Sequence, residues 1–242
     1  YNIIRLEECD STNTYLSKIA RESPHGTVVI TTTQTAGRGQ RGNSWEAEPG
    51  KNLTFSLLLK PENVAAHDQF YISEAVALGI ADALRHYLDG FPVSVKWPND
   101  IYVDDRKIAG ILIEHTLQGN TISQTIAGVG LNVNQTEFVS DAPNPVSLAQ
   151  LARHEYPLAG LLMEICNEVT TRLAAPDPAA IHAEFKHKLW RNDGMPHPFT
   201  LPDGTPFEAT IENIEPDGRL LLRRVGAEQS EAYFFKEVAF TL

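Results

Sequence analysis

Apolar residues recur at three-and-four spacing between positions 69 and 88, where Ile72, Ala75, Val76, Gly79, Ile80, Ala83, Leu84 and Tyr87 share one face. This period predicts a helix with a buried stripe. An earlier helix is read in "CDSTNTYLSKIARES" (9–23), with Asp10 or Ser11 as N-cap. Between them, "TVVITTT" (27–33) is β-branched and reads as a strand, and "NLTFSLLLK" (52–60) as a second, buried one. Strands follow at "VSVKW" (93–97), "DIYVD" (100–104), "KIAGILIEHTL" (107–117) and "TISQTIAGVGLNVN" (121–134), with "DDRK" as a hairpin turn. Helical patterns return at "SLAQLARHE" (147–155), "LAGLLMEICNEVTTRL" (158–173) and "DPAAIHAEFKHKLW" (177–190). From about Arg191 the pattern changes to short alternating runs separated by Asp-Gly turns, which predicts a small β-barrel or β-sandwich. The expected organisation is therefore residues 1–190 as one unit and 191–242 as a second.

Composition narrows the classes. The 242 residues are 42% hydrophobic and 21% charged, as in ordinary globular chains. No run of about 18 apolar residues is present, so no membrane span is expected. The chain opens on no basic, apolar leader, and Cys9 and Cys166 fit no disulfide framework, so a reducing cytoplasm suits it. With 31 acidic against 20 basic residues the net charge is −11, which disfavours DNA or RNA as a partner. A local basic pocket for one small anion stays compatible with that balance.

Three clusters carry candidate chemistry. In "TTTQTAGRGQRGNSWEAEPGKN" (31–52), Gly37, Gly39 and Gly42 have dinucleotide-loop spacing. A Rossmann site needs a helix next, and "NSWEAEPGKN" has none of the periodicity; no Gly-Lys-Ser/Thr closes a Walker loop either. The remaining readings are a flexible surface turn, or an anion nest in which backbone N–H groups converge beside Arg38 or Arg41. In "KWPNDIYVDDRKIAGILIE" (96–114), Pro98 forces a turn, so Asn99 and Asp100 project at a sheet end with Lys96 and Lys107 close by. Each alone reads as a solvated turn residue. Together, two lysines and a carboxylate suit a developing pyrophosphate or acyl phosphate and a proton acceptor. In "AGVGLNVN" (127–134), Gly128 and Gly130 imply a bulge or a close backbone approach, with Asn132 and Asn134 either reading a base edge or capping a strand. "HAEFKH" (182–187) reads as a solvated helix face rather than a metal site, and Cys166 as core.

Taken in order, "DSTN" (10–13), "TAGRGQRGNSW" (35–45), "KWPNDIYV" (96–103), "KIAGILIE" (107–114) and "GVGLNVN" (128–134) resemble the biotin–protein ligase family. The resemblance implies an α/β (α+β) fold like the class II aminoacyl-tRNA synthetase core, a mixed sheet with flanking helices, plus a C-terminal SH3-like β-barrel. It implies activation of biotin by ATP to biotinyl-5′-AMP, then transfer to a lysine of a biotin carboxyl carrier domain. Ser11, Thr12, Asn13 and Gln34 correspond to the pocket for biotin's ureido head. Gly37, Arg38, Gly39 and Gln40 correspond to the loop over its tail, with Gly110 in the same biotin-binding set. Lys107 corresponds to the charge holding carboxylate and α-phosphate. Arg38, Arg41, Trp45, Lys96, Asn99 and Asn132 fall to the ATP and adenylate side, Asn132 against adenine. Lys96 and Asp100 join Lys107 and Arg38 as catalytic candidates, for pyrophosphate departure and the incoming lysine. Mg2+ is expected to come with the phosphates rather than in a protein cage.

Two departures from the family pattern stand out. Many members carry arginine where this chain has Gln40, which keeps the backbone N–H and loses a guanidinium; modest escape of the adenylate is the expectation. "DSTN" begins at residue 10, which points to a monofunctional enzyme without a preceding winged-helix domain. The alternatives are a lipoate–protein ligase, which usually lacks the GRGxRG loop and KWPND, and a non-catalytic biotin-binding module. A homodimer stays open. The glycine loop is expected to be mobile without ligand.

Overall fold

The computed structural model describes residues 1–40, 43–139, 143–174 and 177–241. Seven strands form a mixed sheet in the order β1-β2-β3-β7-β6-β5-β4. These are β1 (Asn2–Cys9), β2 (Thr27–Gln34), β3 (Leu53–Leu59), β4 (Val93–Lys96), β5 (Asp100–Val103), β6 (Arg106–Gln118) and β7 (Thr121–Leu131). Only β1 and β2 run parallel; every other neighbour is antiparallel. The sequence pattern did not announce β1. Its segment "NIIRLEEC" mixes acids among its apolar positions, and as an edge strand it buries neither face completely.

Strand β3 shows why the sheet is the scaffold. All seven of its residues are buried, so it lacks the polar alternation of a half-exposed strand. Phe55, Leu57 and Leu59 face the main core, while Leu58 packs with Leu16 and Ala20 of the opposite layer. That second layer is α1 (Thr12–Ile19), entered through Ser11 as N-cap. On the other face, α2 (Phe70–Arg85) packs against the sheet, with α4 (Leu158–Ala174) and α5 (Pro178–His187) against it in turn. The anticipated stripe of α2 is buried from Ile72 to Leu84, while Tyr87 lies past the helix end and is half-buried; Glu74, Ala77, Leu78 and Ala81 are buried too, because helices cover the far side as well. Gly79 permits that contact: a Cβ there would stand 2.8 Å from the Val169 backbone nitrogen. The short α3 (Leu148–Ala152) starts at Ser147 with a capping box completed by Gln150.

Strands β8 (His197–Thr200), β9 (Pro206–Ile214), β10 (Leu220–Arg224), β11 (Glu231–Tyr233) and β12 (Ala239–Phe240) make a second, antiparallel sheet, ordered β11-β10-β9-β8-β12. The expected barrel is corrected here: among the described residues this sheet stays open. Its two edges, β11 and β12, are three and two residues long and do not pair with each other. Its inner residues, including Phe199, Ile211, Ile214 and Leu222, belong to the same apolar cluster as the core of the large sheet.

Candidate functional site

A cleft of about 300 Å³ opens over the middle of the large sheet. Ser11, Thr12, Asn13, Gln34, Arg38, Gly39, Gln40, Trp45, Lys96, Asn99, Asp100, Lys107 and Gly110 all line it, so segments almost a hundred residues apart meet there. Its described lining holds four cations, Arg38, Lys96, Lys107 and Lys236, against the single carboxylate of Asp100. On a chain of net charge −11 this is a local reversal of sign.

One end is polar and neutral. Helix α1 begins there, which buries Ser11, Thr12 and Asn13 against β2 and β3. The Gln34 carboxamide oxygen accepts from the Thr12 backbone N–H at 2.8 Å and faces the Thr12 hydroxyl at 3.2 Å. Ser56 lies 2.7 Å from the Thr12 hydroxyl and 2.5 Å from the Asn13 carboxamide oxygen, and can donate to one at a time. Asn13 Nδ2 donates to Glu114 Oε2 at 2.7 Å. The Ser11 hydroxyl makes no cap bond to the helix and stays available to a ligand. Gly128 explains itself at this end: a Cβ on it would run into the Asn13 carboxamide. Gly130 is likewise covered by the Trp45 ring, so both glycines mark close approach rather than a bulge.

The other end is charged. The β4–β5 hairpin pairs Lys96 with Asp100, and a register shift in β5–β6 places Lys107 beside it, its Nζ 2.8 Å from Asp100 Oδ1. Lys107 also lies 5.8 Å from the Trp45 ring centre. Lys96 donates to the Tyr102 hydroxyl at 3.0 Å and stands within 6 Å of the Tyr102, Trp190 and Phe240 ring centres. Burial pushes its ammonium pKa below the ordinary lysine value, and raises that of Tyr102. The Asn99 carboxamide is committed to the Ile111 carbonyl, so it braces β6 from the cleft wall.

Over the top runs the glycine loop. Arg38 Nη2 reaches both oxygens of Glu114 at 3.3 Å. The anion-nest expectation is corrected in part, since the Gly39 N–H is already given to Asn43 O at 2.6 Å. Nor do Gly37 and Gly39 adopt left-handed backbone; Gly37 sits outside the cleft lining, where a Cβ would meet Trp45 O at 2.8 Å. Arg41 and Gly42 lie outside the described residues. The indole N–H of Trp45 and the carboxamide oxygen of Gln40 are buried without a hydrogen-bond partner among the described residues.

Asn132 stands apart from the other candidates. It follows the end of β7, is 3% exposed, and gives its Nδ2 to Val146 O at 3.1 Å, while its Oδ1 has no partner. Asn134 is spent on the backbone of Tyr156, the strand-capping alternative. The sequence reading missed the contribution of the second sheet, where Phe235, Lys236, Val238, Ala239 and Phe240 complete the wall. Trp97 ties that wall down, its Nε1 donating to Gly218 O at 2.8 Å and its ring meeting Phe235 edge-on. A lysine within an aromatic run, "YFFKEVAF", was the available signal, and it reads equally as a strand. Among the described residues no cluster of three potential metal ligands occurs. His182 of "HAEFKH" pairs with buried Glu74, and Glu184 with Arg172 and Lys188, so that face is partly buried rather than merely solvated. Cys166 is fully buried and its thiol pKa is pushed up to about 12 by burial. No helix among the described residues is long and apolar enough to cross a membrane.

The sequence profile of the Biotin/lipoate A/B protein ligase family matches residues 6–132. The Biotin--[acetyl-CoA-carboxylase] ligase of Mycobacterium tuberculosis is 30% identical over 205 residues, covering 81% of this chain and 73% of the relative. The Bifunctional ligase/repressor BirA of Bacillus subtilis is 34% identical over 151 residues, 59% of this chain, and this match spans 44% of that relative's length. The chain thus spans about half or less of the length of such bifunctional relatives. In three dimensions, the biotin protein ligase from Aquifex aeolicus in complex with biotin and ATP superposes with a TM-score of 0.79 at 23% identity, covering 99% of this chain and 98% of the other. At that identity the superposition establishes a shared fold.

Proposed function

The chain belongs to the Biotin/lipoate A/B protein ligase family, and from that premise we propose that it is an ATP-dependent biotin–protein ligase acting on a biotin carboxyl carrier domain. The observation that carries the reading is the cleft itself, with buried hydroxyls and carboxamides at one end and Lys107, Lys96 and Asp100 at the other. A molecule with a neutral hydrogen-bonding ring, a short apolar tail and a terminal carboxylate matches that order. Lipoate, with a dithiolane ring, would leave the Ser11 hydroxyl facing an apolar group, at a cost in affinity that such pockets convert into discrimination.

In this reading Ser11, Thr12, Asn13 and Gln34 hold the ureido head, and the Arg38–Gln40 segment and Gly110 flank the tail. Trp45 covers the junction of tail and nucleotide, and its orphan indole N–H can donate there. Lys107 leaves Asp100 to hold the biotin carboxylate near the α-phosphate. A carboxylate oxygen forms a bond to the α-phosphorus, the bond to the β-phosphate bridging oxygen breaks, and pyrophosphate departs. Lys96 and Lys236 supply positive charge along its exit. The substrate lysine amine, once neutral, then attacks the acyl carbon of the mixed anhydride; the bond to AMP breaks, and Asp100, freed from Lys107, accepts the amine proton. Asn132 lies behind the cleft wall, so its carboxamide oxygen would accept from the adenine amino group only after the wall moves to bare it. Asp100 is the only carboxylate on the described wall, which fits a Mg2+ ion held mainly by the phosphates. That ion, when bound, neutralises phosphate charge. We further assign residues 1–190 to a catalytic unit and 191–242 to a C-terminal unit that closes its mouth. Cys9 and Cys166 are both free, in keeping with a reducing cytoplasm.

The test is transfer. Incubated with biotin, Mg-ATP and an unbiotinylated carrier domain, the protein should add one biotin mass to a single lysine, with no lipoyl addition when lipoate replaces biotin. Lipoyl addition at the faster rate would replace this reading with its neighbour in the family. Biotin binding without transfer would leave a binding module.

A further inference from the structure

Away from the proposed active site, a second cavity of about 590 Å³ lies where the N-termini of α2 and α5 meet the end of β9. Its described lining holds three carboxylates, Glu62, Asp68 and Glu74, against one imidazole, His182, with no lysine or arginine. Val64, Phe70 and Ile214 supply apolar wall between them. On a chain of net charge −11 an acidic cluster alone means little. Two buried polar groups add to it. Tyr71 lines the cavity at 9% exposure, and its hydroxyl has no hydrogen-bond partner among the described residues. The Glu74 side chain is 4% exposed, and its Oε1 meets His182 Nδ1 at 2.7 Å. Burial pushes its carboxyl pKa above the ordinary value, with the His182 contact working against that rise. Tyr71 and Glu74 stand three positions apart on α2, so they share a face of the helix. Taking a hydroxyl and a carboxylate out of water costs stability that a donor placed between them would offset.

We propose that this cavity binds a small organic cation, a primary ammonium or guanidinium on a short apolar body. The charged head donates to Glu74 and to the Tyr71 hydroxyl oxygen, and the apolar part lies against Val64, Phe70 and Ile214. Glu62 and Asp68, both exposed, draw the cation in from the rim. The walls are held in place by their own bonds. Val64 O accepts from the Ile122 N–H at 2.9 Å, the Ala66 N–H gives to Asn120 O at 2.8 Å, and Phe70 meets Phe185 edge-on at 5.8 Å. His182 Nε2 stands 3.3 Å from Asn213 Oδ1, linking α5 to β9. Such walls lose little freedom when a ligand arrives. The volume is that of a small-molecule site. The inference goes beyond the ligase reading and does not rest on it, since the two cavities share no described residue.

The probes are phenethylammonium, its neutral counterpart 2-phenylethanol and the anion phenylacetate. Each is titrated into the intact protein at about 0.15 M salt, where attraction by the overall charge is largely screened. Backbone amide shifts locate the site and give the affinities. The cation should bind at least about tenfold more tightly than the alcohol, the factor that one charge-assisted hydrogen bond supplies. Its shifts should centre on Tyr71, Glu74, His182 and Ile214. Ala179→Trp, at an exposed position on the cavity wall, should abolish cation binding by filling the mouth. Glu74→Gln should weaken the cation about tenfold and spare the alcohol. Tyr71→Phe should weaken it severalfold while leaving the ligand-free protein no less stable, because a buried hydroxyl without a partner is removed. Equal affinity for cation and alcohol, shifts centred elsewhere, or undiminished binding in Ala179→Trp would overturn the proposal. So would phenylacetate binding more tightly than the cation, which the two helix N-termini alone would favour. The unaltered protein and the surface variant decide the matter even if Glu74→Gln fails to fold.

Discussion

Lys96 is enclosed by the rings of Tyr102, Trp190 and Phe240, with one hydroxyl as its hydrogen-bond partner. A half-buried ammonium in aromatic surroundings costs stability, and burial accordingly depresses its pKa. Between the depressed value and the ordinary lysine value, the unfolded chain binds more protons than the folded one. Stability tied to Lys96 therefore rises with pH across that window and is lost again as pH falls through the folded pKa. Lys96→Met should flatten the rise, leaving the neutral-pH Tm equal or higher while biotin-dependent pyrophosphate release falls at least about tenfold. Scanning calorimetry across alkaline pH beside a pyrophosphate assay checks both halves; a variant that is less stable at neutral pH would contradict the account. Individual residues were legible in the sequence where a motif fixed their setting. Lys107 and Asp100 meet because a turn and a hairpin bring them to one sheet end. Glu114 was not singled out, because an acid on a strand face carries no local mark of the arginine 76 positions away that it holds.

At the scale of elements, α2, α4 and α5 are joined by apolar packing, by the His182–Glu74 pair and by a larger ionic cluster. Arg172 and Lys188 sit among Asp82 and Glu184, and the Arg172 guanidinium holds the Glu184 carboxyl down to about 2. A depressed carboxylate contributes stability that is complete above its ordinary value and fades as pH falls toward about 2. Glu184→Gln should therefore lose stability at neutral pH, lose less as pH drops, and meet the unaltered protein near the acid end. Urea unfolding at a series of acid pH values would show converging curves; a constant offset would mean that the loss is packing rather than charge. Helices and the central strands were readable because their apolar period is local. Strand β1 was not, as pairing with β2, rather than its own alternation, makes it a strand. The closed barrel was over-read for a similar reason: alternating runs and Asp-Gly turns specify hairpins, while closure depends on edge strands long enough to meet.

Across the whole molecule, the two sheets share one apolar core and one cleft. Phe199, Ile211, Ile214, Leu220 and Leu222 of the small sheet lie in the same buried cluster as α2 and β3. Trp97 and the segment from Phe235 to Phe240 join the sheets at the charged mouth. Heating should therefore produce a single cooperative transition, with residues 191–242 melting with the rest; two separated calorimetric peaks would show that they fold independently. No sequence pattern foretold this sharing, because the contacts link positions more than a hundred residues apart. The central claim concerns what the cleft binds and activates. Its most direct test mixes the protein with biotin and Mg-ATP, without any carrier, and follows pyrophosphate and biotinyl-5′-AMP, with Lys107→Ala and lipoate in parallel. The account predicts adenylate from biotin, a loss of about a hundredfold or more in the variant, and none from lipoate. Undiminished adenylate from Lys107→Ala, or no pyrophosphate from the unaltered protein while biotin still binds, would contradict it.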